Sequence, residues 1–169
     1  MKDTNQLLVG IKSLMTTDNY PVAGPVAPDV MADLMNNAPP VEWDDSKKSA
    51  YKDVRRLLVD RADYACMFDV MDGFEYNGLT LYSLAVADGN GVQLWSNIYI
   101  CNIDVRENDI YVDANLSDKV VIGEDGMSYF VYSFEDSCFQ IRDRVASDYV
   151  IESHAHFSDL LAALVESVS

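Results

Sequence analysis

The chain has 169 residues, 49% of them hydrophobic, which is enough for one domain with a buried core and too few for two. It carries 28 acidic and 12 basic residues, and this net charge of −16 disfavours binding to polyanionic nucleic acid. No apolar run approaches the roughly 20 residues that span a bilayer, and Lys12 interrupts an N-terminal segment without a signal cleavage site. We therefore expect a single, soluble, cytoplasmic domain over residues 1–169 that binds neither nucleic acid nor membrane.

The first part of the chain predicts helices. Apolar residues recur at helical intervals over residues 5–15, and residues 29–35 can form a second, short helix. Ser46 is predicted to cap a third helix, which carries five cations on its solvent side. This helix either ends at Arg61 or continues, bent, to the Asp72-Gly73 turn, where glycine supplies a left-handed conformation.

A first strand is predicted over residues 78–86, closed by a glycine-containing turn at 88–91. Residues 93–106 fit either a helix or a strand, and their apolar spacing favours the helix. Residues 120–153 indicate short strands joined by acidic turns. From Phe157 onward the apolar spacing becomes helical again, which predicts a closing helix of about three turns. The expected fold is α+β, with N-terminal helices, an antiparallel sheet of about four to six strands and a C-terminal helix.

The charges are unevenly distributed along the chain. Eight of the twelve basic residues lie at or before Arg61, whereas the chain from Ala62 onward has nineteen acidic and four basic residues, a net charge of −15. One explanation is that an acidic surface keeps the protein soluble. The other is that a concentrated negative charge steers a basic protein partner to this surface.

The residues with catalytic or metal-binding chemistry form no complete set. Cys66, Cys101 and Cys138 stand apart, and we expect buried free thiols in a reducing compartment. The pair His154 and His156 can ligate zinc if further donors arrive from Glu152, Asp159 or Cys138. The alternative is a pair of surface histidines beside a helix that Ser153 or Ser158 caps. We expect no metal, no cofactor and no enzymatic activity, and a hydrolase that uses either histidine ranks behind a binding function.

Two segments resemble the SMI/KNR-like (SUKH) superfamily. They are Phe68-Asp69-Val70-Met71-Asp72-Gly73-Phe74-Glu75, followed by a strand at 79–84, and Val120-Val121-Ile122-Gly123-Glu124-Asp125-Gly126, followed by a strand at 129–132. Ile122-Gly123-Glu124-Asp125 and Phe139-Gln140-Ile141-Arg142-Asp143-Arg144 are similar to segments of its YrhA-like bacterial immunity branch. The resemblance covers about residues 50 to 165 and leaves residues 1–45 as a helical N-terminal extension.

The resemblance implies an α+β fold and, for many bacterial members, an immunity protein that neutralises a toxin of contact-dependent growth inhibition or a related secreted system. The cognate toxin is often a basic nuclease, whose positive surface an acidic inhibitor would cover. The alternative, implied by eukaryotic members, is a regulatory or scaffolding module that binds a cellular protein or a small ligand.

Trp43 lies in an acidic loop and Tyr76 follows an acidic turn, so each is either a core side chain or an exposed anchor for a partner. Under the immunity hypothesis we expect the contact residues in the acidic loops and beside these aromatics. The expected contact residues are Asp69, Asp72, Glu75, Tyr76, Glu124, Asp125, Trp43, Asp44 and Asp45.

Overall fold

The computed structural model describes residues 3–84, 96–107, 110 and 112–168. Its α-helices are α1 (Thr4–Thr17), α2 (Pro28–Asn36), α3 (Asp45–Asp60), α4 (Ala62–Ala65), α5 (Ile98–Glu107) and α6 (Phe157–Val168). Its strands are β1 (Phe74–Tyr76), β2 (Leu79–Leu81), β3 (Val120–Glu124), β4 (Ser128–Ser133), β5 (Cys138–Asp143) and β6 (Val150–His154). The predicted α+β class, with a closing helix after an antiparallel sheet, is confirmed.

The three predicted N-terminal helices are confirmed, and the cap of α3 is corrected. α1 buries Leu8 and Ile11 on its apolar stripe. The expectation that Ser46 caps α3 is wrong, because Asp44 occupies the cap position and its carboxylate accepts the Lys47 N–H at 2.9 Å. A carboxylate satisfies this N–H and also favours the positive end of the helix dipole.

The chain bends at Arg61, the residue between α3 and α4, and then continues through a 3-10 turn at Cys66–Asp69. α3 therefore ends at Asp60 with Arg61 as its C-cap, which confirms the predicted end at Arg61, and the helical residues that follow form a separate short helix and a 3-10 turn. Gly73 has the predicted left-handed conformation, with φ of +67°. It follows an irregular segment, however, and does not directly end a helix.

The expected first strand is wrong at its start. β1 lies before the predicted range, and Asn77 and Gly78 form the turn of a β1–β2 hairpin, with φ of +49° and +82°. Asn-Gly is the preferred pair for such a turn, so a local sequence signal for this hairpin was available. The end of the predicted strand and the turn at 88–91 lie outside the described residues.

All six strands are antiparallel neighbours in chain order, so the sheet is a meander. One face, here called the inner face, carries buried side chains such as Phe74, Leu81 and Phe139, and Phe139 packs against aromatic side chains of α4 and α6. The meander arises because alternating apolar residues are joined by short polar turns. The turns predicted at 124–126 and 135–137 are confirmed.

α5 confirms the predicted helix over its described part, whereas residues 93–95 lie outside the described residues. α5 lies beside the part of β3 that does not pair with β2. The buried Asn102 amide donates to the Val121 C=O at 2.7 Å and accepts the Val121 N–H at 2.8 Å. One side chain thus satisfies two backbone groups of an otherwise open strand edge. Among the described residues, no helix is long and apolar enough to cross a membrane.

The expectation that Ser153 or Ser158 caps α6 is wrong. The N–H of Phe157, at the start of α6, donates to the Asp63 carboxylate at 2.8 Å, so the cap comes from α4 rather than from Ser153 or Ser158. Arg61 holds this carboxylate with two hydrogen bonds of 2.8 and 3.0 Å. The Arg61 guanidinium also donates to the Ala155 C=O and lies over the aromatic faces of the inner sheet.

A buried aromatic cluster fills the space between α4, α6 and the inner face. The Tyr64 ring centroid lies 5.0 Å from that of Phe157, 5.4 Å from that of Phe68 and 6.1 Å from that of Phe139. Within the described part of the chain, the fully buried Tyr64 hydroxyl has no hydrogen-bond partner. Burial raises the pKa of this phenol, so it remains protonated.

Tyr64→Phe is therefore expected to raise the free energy of unfolding by about 1 kcal/mol, because it removes a desolvated and unsatisfied hydroxyl from the core and keeps the ring. Urea denaturation of the variant and the wild type measures the difference. Tyr64→Leu, which removes the edge-to-face contacts, is the control and should destabilise. A clear loss of stability in Tyr64→Phe would mean that the hydroxyl is hydrogen-bonded.

Candidate protein-binding surface

The face of the sheet opposite the aromatic cluster, here called the outer face, carries a row of side chains across four strands. Glu75 lies opposite Thr80, Thr80 opposite Glu124, and Glu124 opposite Tyr129. Residues in direct register project from the same face, and two strand spacings separate Glu75 from Glu124 by about 10 Å. The structure thus brings together two predicted contact residues that are far apart in the sequence.

Asp125 follows Glu124 in the chain and lies in the β3–β4 turn. Its Oδ1 accepts the N–H groups of Met127 and Ser128 at 2.8 and 2.6 Å, which fixes the turn. The Arg144 guanidinium lies 3.3 Å from the Glu124 carboxylate and donates to the Asp125 C=O at 3.0 Å. Glu75, Glu124 and Asp125 are here called the acidic row, and Arg144 neutralises it only in part.

Most of the cations that follow Arg61 in the sequence have buried side chains. Arg106, Lys119 and Arg142 are each 10% exposed or less, whereas the Arg144 side chain is 41% exposed. Arg106 and Lys119 form ion pairs of 2.8 and 2.7 Å with neighbouring aspartates. Because three of these four cations are largely shielded from solvent, acidic residues dominate the exposed charge of this part of the chain.

A polar network occupies the part of the outer face between the β4–β5 turn and Arg142. The Arg142 Nε donates to the Gln140 Oε1 at 2.8 Å, and the Gln140 Nε2 donates to the Asp136 carboxylate at 2.8 Å. Ser133 donates to the same carboxylate at 2.9 Å. The hydrogen bonds from Ser133 and Gln140 lower the pKa of Asp136, so this carboxylate stays charged. The network fixes the β4–β5 turn and holds the buried Arg142 side chain.

Of three other predicted contact residues, two are buried and one is exposed. Asp72 is buried, and its carboxylate accepts the Leu84 N–H at 2.7 Å. Tyr76 is buried on the inner side of β1 and donates its hydroxyl hydrogen bond to Asp18 at 2.6 Å. Neither side chain belongs to the surface. Asp69 is exposed at the end of the 3-10 turn.

The remaining predicted contact residues lie at the N-terminus of α3. Asp44 caps the helix and Asp45 is its first residue. Trp43 is half-buried, with its ring centroid 5.7 Å from that of Tyr51 in an edge-to-face contact. Of the two interpretations of Trp43, this contact favours packing between helices. These residues belong to the helical part of the fold and not to the acidic row.

The histidines and cysteines are the residues with possible metal-binding or nucleophilic chemistry. His154 Nε2 lies 3.1 Å from the Glu152 carboxylate. In the described ranges, no group of three or more His, Cys, Asp and Glu side chains is placed to hold a metal ion. The three cysteines are free and half-buried rather than fully buried, and burial raises the pKa of the Cys101 thiol to about 11. This thiol is therefore protonated at neutral pH and is a weak nucleophile.

The structure thus defines an α+β protein with a six-stranded meander that carries Glu75 and Glu124 on one face. The chain is similar to the putative uncharacterized protein YrhA of Escherichia coli strain K12, with 25% identity over 126 residues, which cover 72% of this chain and 86% of YrhA. No family model matches the chain, and no solved structure matches it.

Proposed function

We propose that the protein is an immunity protein of the SUKH type, which neutralises a cognate bacterial toxin in the cytoplasm by tight, stoichiometric binding. The toxin would be a basic nuclease domain of a contact-dependent or related secreted system. The acidic row and the outer face around it would cover the positive surface that the nuclease uses to hold its substrate. Similarity to YrhA supports the resemblance on which the immunity role is based, and the charge of the outer face supports the nature of the partner.

The observation that carries this proposal is the burial of the Arg106, Lys119 and Arg142 side chains. A surface that is acidic only for solubility does not need its cations to be buried, since mixed charges keep a protein soluble as well. A surface with a net negative charge instead raises the local potential and accelerates the approach of a basic protein. It also disfavours a wrong, acidic partner through like-charge repulsion.

The proposal is tested by co-expression with the C-terminal toxin domain encoded by the gene immediately upstream. We expect the wild-type protein to restore growth and to co-purify with the toxin domain in a one-to-one complex. The association rate should fall at least about tenfold when the salt concentration rises from about 0.02 M to about 0.3 M, since salt screens exposed charges. Failure to protect and to co-purify would refute the immunity role with that toxin.

A pair of charge-reversal variants tests whether the acidic row is the surface that attracts the toxin. Glu75→Lys changes an exposed acid of the acidic row and should slow association by about threefold to tenfold at low salt with little change in the dissociation rate. Glu107→Lys is the matched control, because it makes the same change at an exposed acid of the helical layer. If both variants slow association equally, the net charge acts and the acidic row has no special role.

A further inference from the structure

A second surface lies beside the acidic row, at the end of the sheet where the β3–β4 and β5–β6 turns meet. Four large apolar side chains are exposed there: Met127 (78%), Val145 (98%), Tyr149 (64%) and Ile151 (46%). These four residues are here called the sheet-end patch. Exposed apolar side chains that lie close together at one end of a fold are often functional.

Backbone hydrogen bonds hold the patch together across three neighbouring strands. The Arg144 N–H donates to the Met127 C=O at 2.8 Å, which places the two turns side by side. The Asp143 N–H donates to the Tyr149 C=O at 3.1 Å, which places the start of β6 next to them. Ile151 is the extra residue of a β-bulge, because Ile141 and Arg142 pair with the residues on either side of it.

The residues around the patch are acidic. Asp143 fixes the β5–β6 turn by accepting the N–H groups of Val145 and Ala146 at 2.8 and 2.7 Å, and Asp148 and Glu152 are exposed beside Tyr149 and Ile151. The nearby cation, Arg144, is engaged by Glu124, the Asp125 C=O and the Tyr129 ring, whose centroid is 5.1 Å away.

We propose that the sheet-end patch is the anchor site for a basic protein, which seats an apolar or aromatic side chain among these four residues while its lysines and arginines pair with the surrounding acids. A second copy of this chain is a poor occupant, since it would bring two acidic rims together. An anionic membrane surface is disfavoured for the same reason. This proposal rests on the proposed function for the identity of the partner, the toxin domain. It adds which residues carry most of the binding energy.

The two surfaces then have different roles. The acidic row governs the rate of encounter, because exposed charges act at long range. The patch governs the lifetime of the complex, because buried aromatic and aliphatic anchors carry most of the binding energy of an interface. Their separate kinetic signatures make the patch testable apart from the immunity role.

The first measurement uses the double variant Val145→Ser, Tyr149→Ser in the full-length chain with the toxin domain that the wild-type protein neutralises. We expect the Kd to rise at least about tenfold, mainly through faster dissociation. The control is the double variant Val9→Ser, Val59→Ser, which removes two exposed apolar side chains from helices and should keep the Kd within about twofold. Thermal unfolding of both variants checks that each remains folded.

The second measurement needs no assumed partner. A photo-crosslinking amino acid replaces Tyr149 in the cells that produce the protein, with the same replacement at Val9 as the control, and mass spectrometry identifies the adduct. The expected adduct is a basic protein that position 9 does not capture. An adduct with a second copy of the chain or with an acidic protein would overturn the proposal, and so would the lack of any adduct.

The two measurements separate the patch from the immunity role. If the toxin domain does not bind the wild-type protein but position 149 captures another basic protein, the patch is supported and the immunity role is refuted. If the toxin domain binds the wild-type protein and the patch variant equally well, the patch is refuted and the immunity role stands.

Discussion

Gly73→Ala is expected to lower the free energy of unfolding by about 4 kcal/mol or more, a large fraction of the stability of an ordinary domain. The φ of +67° alone costs an alanine about 1 kcal/mol. In addition, a Cβ at this position would lie 2.5 Å from the Leu81 carbonyl oxygen and 2.8 Å from the carbonyl carbon and oxygen of Tyr82. These are backbone atoms at the end of the β1–β2 hairpin, so the clash can be relieved only by moving the two strands apart.

Gly78→Ala is the matched control for this prediction. Gly78 also has a positive φ, of +82°, but a Cβ there meets no atom within 4 Å. Its substitution should therefore cost only the conformational term of about 1 kcal/mol. Urea denaturation followed by circular dichroism measures both variants against the wild type. Equal losses in the two variants would contradict the claim that close backbone approach makes glycine necessary at position 73.

Asp63→Ala is expected to destabilise the protein by about 3 kcal/mol. The substitution removes the cap of α6 and leaves the Arg61 guanidinium, which is 13% exposed, without its carboxylate partner. Since Asp63 itself is 31% exposed, the loss falls at the lower end of the range for a broken buried ion pair. Asp69→Ala, at an exposed aspartate of the 3-10 turn, is the control and should change stability by less than about 0.5 kcal/mol.

Asp63→Asn separates the hydrogen bond from the charge and gives the prediction a pH dependence. Burial opposes ionisation of Asp63, but the hydrogen bonds from Arg61 and the Phe157 N–H outweigh it and lower the pKa from 3.8. The contribution of the charge is therefore complete above the unfolded-state pKa and is lost as the pH falls through the lower native pKa.

The difference in stability between the wild type and Asp63→Asn should be constant near pH 7 and should shrink below about pH 4. Denaturation curves measured in parallel for the two proteins from pH 7 to acid cancel the contributions of other carboxylates, such as Asp136. A difference that grows on acidification would contradict a lowered pKa at Asp63.

The sequence was informative where structure depends on near neighbours. The helical spacing of the apolar residues in α1 and α6 and the acidic turns between β3, β4 and β5 were all predicted, because both signals lie within a few residues. The same kind of signal was available but not used at Asn77-Gly78, where an asparagine–glycine pair marks the β1–β2 hairpin. At Asp44, two adjacent acids precede Ser46, and the choice of cap depends on where the helix begins.

Only the tertiary structure decided which residues share a surface. The sequence determined an excess of acidic residues after Arg61 and an α+β pattern, but Glu75 shares a face with Glu124 because β2 lies between their strands in register. Likewise, Asp63 caps α6 across a long stretch of chain, and the side chains of Arg106, Lys119 and Arg142 are buried. Composition and local spacing carry no information on such contacts, since strand register and side-chain burial arise only when the whole chain packs.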